Sequence, residues 1–188
     1  MRILMEQQAI AKPNTGSLMK LLTDWGFGRA GWQQGARGEY WVLAQALLLL
    51  GMVFLPPYRP WGLQLSLPWL YGVWGSAVGL GLTAVILLGK GLLDLGQSLT
   101  PLPYPKDDGQ LVQVGVYGIV RHPIYSGVIL GVLAWALYQL SLTHVAAAIA
   151  FFLFFNAKAH REELWLADKY PDYAAYQQRV KKLIPGVY

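Results

Sequence analysis

The chain has 188 residues, of which 55% are hydrophobic and only 13% charged; an average soluble domain is about 25% charged, so too little polar surface is present to cover a water-soluble globule. The length allows one compact domain, the absence of cysteine excludes disulfides, zinc–thiolate sites and thiol catalysis, and the three scattered histidines (His122, His144 and His160) argue against a multi-histidine metal site. The net charge of +5 comes from basic residues at the ends of apolar runs, a pattern of membrane topology rather than of nucleic-acid binding.

Residues 1–38 hold no sustained apolar core and no cleavage-site pattern, so no secretory signal is expected there. Ser17 can cap a short helix with Leu18, Leu21, Leu22 and Trp25 on one face and Lys20 and Asp24 on the other, an interfacial arm on the cytoplasmic leaflet. Four apolar stretches then approach the roughly 20 residues that a bilayer-crossing helix needs. The first, 40–55, is short and stops at Pro56 and Pro57, which calls for tilt or protein cover at one end. The second, 67–88, carries Gly75 and Gly79 as a GxxxG pair, expected to let another helix of the chain approach closely. The third starts after Pro123 and runs to 140, and the fourth runs from 142 to 155. So few polar residues separate these two that a tight antiparallel hairpin is expected. Trp41 and Trp69 suit anchoring at the membrane interfaces.

With both termini in the cytoplasm, 14 of the 15 lysines and arginines lie inside and only Arg59 lies outside. The fold class is therefore all-α: a polytopic transmembrane helix bundle of about four spans, with a C-terminal helical hairpin and a cytoplasmic tail helix. Its expected organisation is an N-terminal arm (1–38), two spans (39–98) and a motif-bearing region with two further spans and a tail (99–188).

Chemistry concentrates in that last region. The proline-rich stretch 100–109, TPLPYPKDDG, is extended and stiff. It leads into 109–127, GQLVQVGVYGIVRHPIYSG, where Tyr117, Arg121, His122 and Tyr125 stand at the start of an apolar helix. Pro123 suits the first helical turn and puts His122 at the N-cap. Such a helix start favours an anionic group, and Arg121 adds positive charge beside it. After the fourth stretch come Lys158, His160, Arg161, Glu162 and Glu163. The short hairpin turn brings both clusters to the same cytoplasmic mouth. Composition and spacing leave open whether this is a catalytic site or a charged interface.

RHPIY at 121–125, preceded by Leu111, Val112, Gly115, Val116 and Tyr117, closely resembles the signature of the isoprenylcysteine carboxyl methyltransferase-like (phospholipid methyltransferase-like) integral-membrane enzymes. The pair Glu162–Glu163 and a tail with Tyr173, Tyr176, Arg179, Val180 and Pro185 extend the likeness over about half the chain. The resemblance implies S-adenosylmethionine as cofactor without a Rossmann fold, in agreement with the lack of a GxGxxG strand–turn–helix pattern. It implies that Gly109, Gln110, Leu111 and Val112 pass along the cofactor, that Tyr117, His122, Pro123, Ile124 and Tyr125 wall its pocket, and that Glu162 and Glu163 meet its polar groups. Lys158, where the carboxyl methyltransferases carry arginine, would face the acceptor, with Arg161 as the neighbouring cation. His122 or Tyr125 would take a proton from an acceptor that must lose one. The acceptor would be lipophilic and enter from the bilayer, with a carboxylate slightly favoured. Membrane sterol or steroid reductases that use NADPH share an HPxY pattern, commonly with asparagine where Ile124 stands here. A non-catalytic scaffold of the same fold is the other rival, and the intact His122, Tyr125 and glutamate pair speak against it.

Overall fold

The computed structural model describes residue 35 and residues 37–60 and 65–188. The expected amphipathic helix around Ser17 to Trp25 lies outside them. Among the described residues there are five α-helices and no strand: α1 Glu39–Phe54, α2 Leu67–Leu95, α3 Pro123–Gln139, α4 Leu142–Lys169 and α5 Tyr173–Arg179. Single-turn 3-10 helices follow α2 at Gly96–Ser98 and precede α3 at Gly115–Gly118. Each start has a local cause. Proline stands in the first turn of both α2 and α3, where its missing N–H costs nothing. His122 occupies the N-cap position of α3, as the sequence predicts. Leu140 breaks α3 by turning left-handed (φ 50°), and Ser141 then leads straight into α4. That two-residue link is the expected tight hairpin.

The helices keep apolar faces that no protein covers. On α1, Val53 and Phe54 are 75% and 80% exposed, and Val85 and Leu93 of α2 and Leu153 of α4 are similarly bare. Lone exposed apolar residues are ordinary, but whole faces of them require a lipid solvent. With its 3-10 extension α2 is 32 residues long and α4 is 28, both long and apolar enough to cross a membrane. Helices α1 and α3, at 16 and 17 residues, reach about 25 Å at 1.5 Å per residue, somewhat less than the roughly 30 Å hydrocarbon core. The chain is a helical membrane protein.

α2 packs along α3, and α3 along α4. The close approach uses Ala84, Gly91 and Gly127. A Cβ on Gly127 would stand 2.7 Å from Leu88 Cγ and 3.0 Å from the Ala84 carbonyl oxygen, and one on Gly91 would stand 2.9 Å from Ile124 Cγ1. The GxxxG pair does not serve this purpose, because Gly75 and Gly79 have nothing within 4 Å of a built Cβ. The physical reason is the face they occupy: at about 100° per residue, Gly75 and Gly79 point away from the Ala84 and Gly91 contact with α3 and are exposed. At that end of the interface the Trp74 indole donates to the Tyr138 carbonyl at 3.3 Å and packs near the Tyr138 ring.

Polar contacts knit the two ends of the bundle. At one end the α1–α2 connection is tied to the hairpin turn: Tyr58 N donates to Ser141 Oγ and Thr143 Oγ1, both at 3.1 Å, and Arg59 donates to the Gln139 carbonyl at 2.8 Å. At the other end, Asp94 near the end of α2 accepts from Val116 N at 2.9 Å. This latch needs glycine at 115, which has φ 62° and lies so close that a Cβ would stand 2.0 Å from Asp94 Oδ2. Lys169 donates to the carbonyls of Lys106 and Asp107, and Tyr170 donates to that of Gly109 at 2.7 Å. The proline-rich segment is thereby pinned to the end of α4.

Glycine substitution separates packed from open helix faces. Gly127→Ala forces Leu88 and the α2 backbone apart and is expected to destabilise by about 1–3 kcal/mol. Gly75→Ala meets open space and is expected to be neutral or stabilising, by up to about 1 kcal/mol from helix propensity. Thermal unfolding of the purified variants in one detergent checks both, and equal midpoints for the two would contradict the packing described here.

Candidate active site

The end of the bundle that carries the proline-rich segment is closed by the tail. Residues 120–122 run beside 181–182: Arg121 N donates to the Lys181 carbonyl at 2.8 Å and His122 N to that of Lys182 at 3.1 Å, around a parallel bridge of Val120 with Lys181. Ser126, one turn into α3, donates to the Leu183 carbonyl at 2.7 Å. Beneath this clip lies a buried ion cluster. Arg121 Nε and Nη2 both reach Glu163 Oε1, at 2.9 and 2.8 Å, and His122 Nε2 meets the same oxygen at 3.1 Å. The other Glu163 oxygen accepts from Gln177 at 3.3 Å and faces Lys182 at 4.0 Å. Arg121 also donates to the carbonyls of Gln177 and Val180.

One helical position earlier, Glu162 faces elsewhere. Its Oε2 accepts from the Tyr125 hydroxyl at 2.7 Å and lies 3.8 Å from His122 Nδ1. The Tyr125 ring is sandwiched between His122, parallel at 5.3 Å, and Phe155 at 4.8 Å. Lys158, one turn back on α4, is 1% exposed. Its ammonium stands 5.1 Å over the Tyr125 ring and donates to Gln45 Oε1 of α1 at 2.6 Å. An ammonium can only donate, so Gln45 must offer its oxygen there and keep its NH2 for other partners.

These groups surround a cavity of about 340 Å3, within the range of small-molecule sites. Gly109, Gln110, Leu111, Val112, Tyr117, His122, Pro123, Ile124, Tyr125, Lys158 and Glu162 all line it. Two residues grouped with them from the sequence do not. Glu163 is turned into the ion cluster, because adjacent positions on a helix point about 100° apart. Arg161 lies with its guanidinium 4.6 Å over the Trp165 ring, outside the cavity lining. Nor does Arg121 offer the α3 start an unpaired charge, since Glu163 neutralises it.

Sequence reasoning missed part of the lining: Val42 and Gln45 from α1, Leu92 and Leu95 from α2, and Leu166, Tyr170, Tyr173 and Tyr176 from the last turns and the tail. Gln45 had a usable signal as a lone polar residue in an apolar run, since such residues rarely face lipid. Three cavity tyrosines outside the spans are held protonated by burial. Tyr176 is pushed up to about 12, and Tyr117 and Tyr173 higher still, with Glu162 or Glu163 adding to the shift. At neutral pH all three are hydrogen-bond donors.

The chain resembles known proteins in sequence and fold. The sequence model of a family described as phospholipid methyltransferase matches residues 75–173. The cobalt-zinc-cadmium resistance protein CzcN of Cupriavidus metallidurans is 32% identical over 116 residues, which cover 61% of this chain and 52% of that protein. A solved structure of the eukaryotic intramembrane Ras methyltransferase, isoprenylcysteine carboxyl methyltransferase, superposes with a TM-score of 0.57 at 18% identity, over 95% of this chain and 55% of that one. The last likeness is one of fold, and the chain spans about half the length of either relative. The matched stretch runs from α2 to Tyr173 and contains the α3 start, the glutamate pair and most of the cavity wall. The chain belongs to the phospholipid methyltransferase family.

Proposed function

We propose that the protein is an integral-membrane methyltransferase that uses S-adenosylmethionine and modifies a lipophilic acceptor reaching the site from the bilayer. The observation that carries this reading is the mixed lining of the cavity. Its polar members are Glu162, Tyr125, His122, Lys158, Gln45 and the tail tyrosines, with residues 109–112 along the wall. Its apolar members include Val42 of α1 and Leu92 and Leu95 of α2, and Lys158 reaches across to Gln45 of α1.

Glu162 and its neighbours suit the cofactor. Glu162 gives one oxygen to Tyr125 and keeps the other for an ammonium or a ribose hydroxyl. Gly109 and Gln110 spend their backbone groups on Lys106, Tyr170 and Ser98, so Leu111 and Val112 are the ones to offer theirs, and Tyr117 also walls the cavity with its hydroxyl fixed to the Gly91 carbonyl at 3.2 Å. When bound, the cofactor supplies an electrophilic methyl carbon on a positively charged sulfur. The work left to the chain is alignment and exclusion of water. The stack of His122, Tyr125 and Phe155 is rigid and dry enough to hold such a geometry.

Toward the acceptor, the Lys158 ammonium and the Gln45 amide NH2 are both donors. A wall of donors favours a carboxylate or another oxygen-bearing anionic group over an amine. A carboxylate needs no base. For an acceptor that must lose a proton, His122 is arranged to help: with Nε2 donating to Glu163, the lone pair of the neutral ring is on Nδ1. The supporting topology has four spans and both termini in the cytoplasm. It agrees with Arg59 standing at the hairpin end, away from the cavity, and with residues 99–188 supplying most of the site.

The decisive experiment incubates purified protein with labelled S-adenosylmethionine and a total membrane lipid extract, then identifies the labelled product by mass spectrometry. A product bearing a new methyl ester or ether is expected; absence of any transfer, with no binding of S-adenosylhomocysteine, would reject the reading. Glu162→Gln is expected to weaken S-adenosylhomocysteine by roughly 10- to 150-fold, the equivalent of about 1.5–3 kcal/mol for a charge-assisted contact. Lys158→Met should leave that affinity within about threefold and slow transfer to acidic acceptors, and calorimetry beside turnover assays ranks the two. For topology, a cysteine at exposed Pro57 should label from outside intact cells and one at exposed Asp108 should not.

A further inference from the structure

Tyr173 opens α5, the short helix that the ion cluster presses onto the cavity. The side chain is 1% exposed and lines the cavity, packed edge-on against the Tyr176 ring at 5.8 Å. Its phenolic oxygen is fully buried and has no hydrogen-bond partner among the described residues. The other tyrosines of the cavity differ in this respect. Tyr176 donates to the Tyr117 carbonyl at 2.6 Å, Tyr117 to the Gly91 carbonyl at 3.2 Å, Tyr170 to the Gly109 carbonyl at 2.7 Å and Tyr125 to Glu162 at 2.7 Å. A buried hydroxyl without a partner destabilises the fold, and phenylalanine would fill the same space without that cost. The oxygen is therefore accounted for only by a partner that the polypeptide does not supply.

We infer that Tyr173 is a ligand-binding residue whose hydroxyl donates to a lone-pair oxygen or nitrogen of the cofactor, closing that pocket from the tail side. This rests on the cofactor proposed above. The cofactor is favoured over the acceptor by position. Tyr173 follows the exit of α4, packs on Tyr176 and lies near Glu162, the residue proposed above to hold the cofactor. The phenol is suited to donate, because burial and the nearby Glu163 and Glu162 carboxylates keep its proton on.

The test is Tyr173→Phe, which removes one oxygen and keeps the ring, with Tyr176→Phe as its counterpart. In the ligand-free protein Tyr173→Phe is expected to leave the unfolding midpoint unchanged or raised, whereas Tyr176→Phe, which orphans the Tyr117 carbonyl, is expected to lower it. In calorimetry, Tyr173→Phe should weaken S-adenosylhomocysteine by about 3- to 10-fold, the usual worth of a neutral hydrogen bond, and leave the KM for the lipid acceptor unchanged. Wild-type affinity in Tyr173→Phe would overturn the inference and leave the proposed function standing, as would a loss that falls on the acceptor KM alone. A wild-type protein without affinity for S-adenosylhomocysteine would instead reject the proposed cofactor and this inference with it.

Discussion

The contact on which the site depends is Glu163 with Arg121 and His122. One carboxylate, 7% exposed in its side chain, ties the middle of α4 to the start of α3, and through Gln177 and Lys182 to the tail. Such an ion pair is not simply a source of stability. Taking three polar groups out of water costs nearly what their attraction returns, while deleting one partner strands the others at a cost of about 3–5 kcal/mol. Its effect is to specify an arrangement. With Arg121 held by Glu163 and by two tail carbonyls, α5 can close on the cavity in one way only, and the His122 ring is turned so that Tyr125 stacks on it.

The membrane supplies the second constraint. Lipid solvates apolar helix faces as well as protein does, so many large apolar residues among those described need no protein partner, and the packed interior is thin. Phe151, Phe155, Ala148 and Val132 form one modest cluster, and Val116, Tyr117, Val120 and Leu87 form another beneath the cavity. Where the bundle is tight, small residues make it so: Gly91, Gly127 and Ala84 let two backbones meet without bulky knobs. Polar order at both ends replaces the large core of a water-soluble domain.

Much of this was legible in the sequence, and the failures have identifiable causes. The helical hairpin, the N-cap position of His122 and the gathering of two distant polar clusters at one mouth follow from apolar run lengths and a two-residue turn. The division of labour between Glu162 and Glu163 could not be read, since a sequence pattern lists neighbours while a helix turns them apart. Gly75 and Gly79 have the spacing of a packing motif, but they fall on the exposed face of α2, opposite the residues that meet α3. Gln45 lies 113 positions from Lys158, and no local periodicity connects residues so distant. Tyr173 was visible as part of a tail pattern, but the missing partner of its hydroxyl is a property of three-dimensional surroundings alone.

Helix α1 brings a different kind of control to the same cavity. It packs mainly on α4, is shorter than the hydrocarbon core is thick, and reaches the cavity through Val42 and Gln45. A short helix in a thicker bilayer responds by thinning the lipid around it or by drawing its flanking residues inward, at fractions of a kcal/mol per Å of mismatch. Any such adjustment slides Gln45 along Lys158, while the side clipped by Glu163 stays fixed. Bilayer thickness and lipid composition therefore act as a mechanical load on one half of the cavity and leave the other half unloaded.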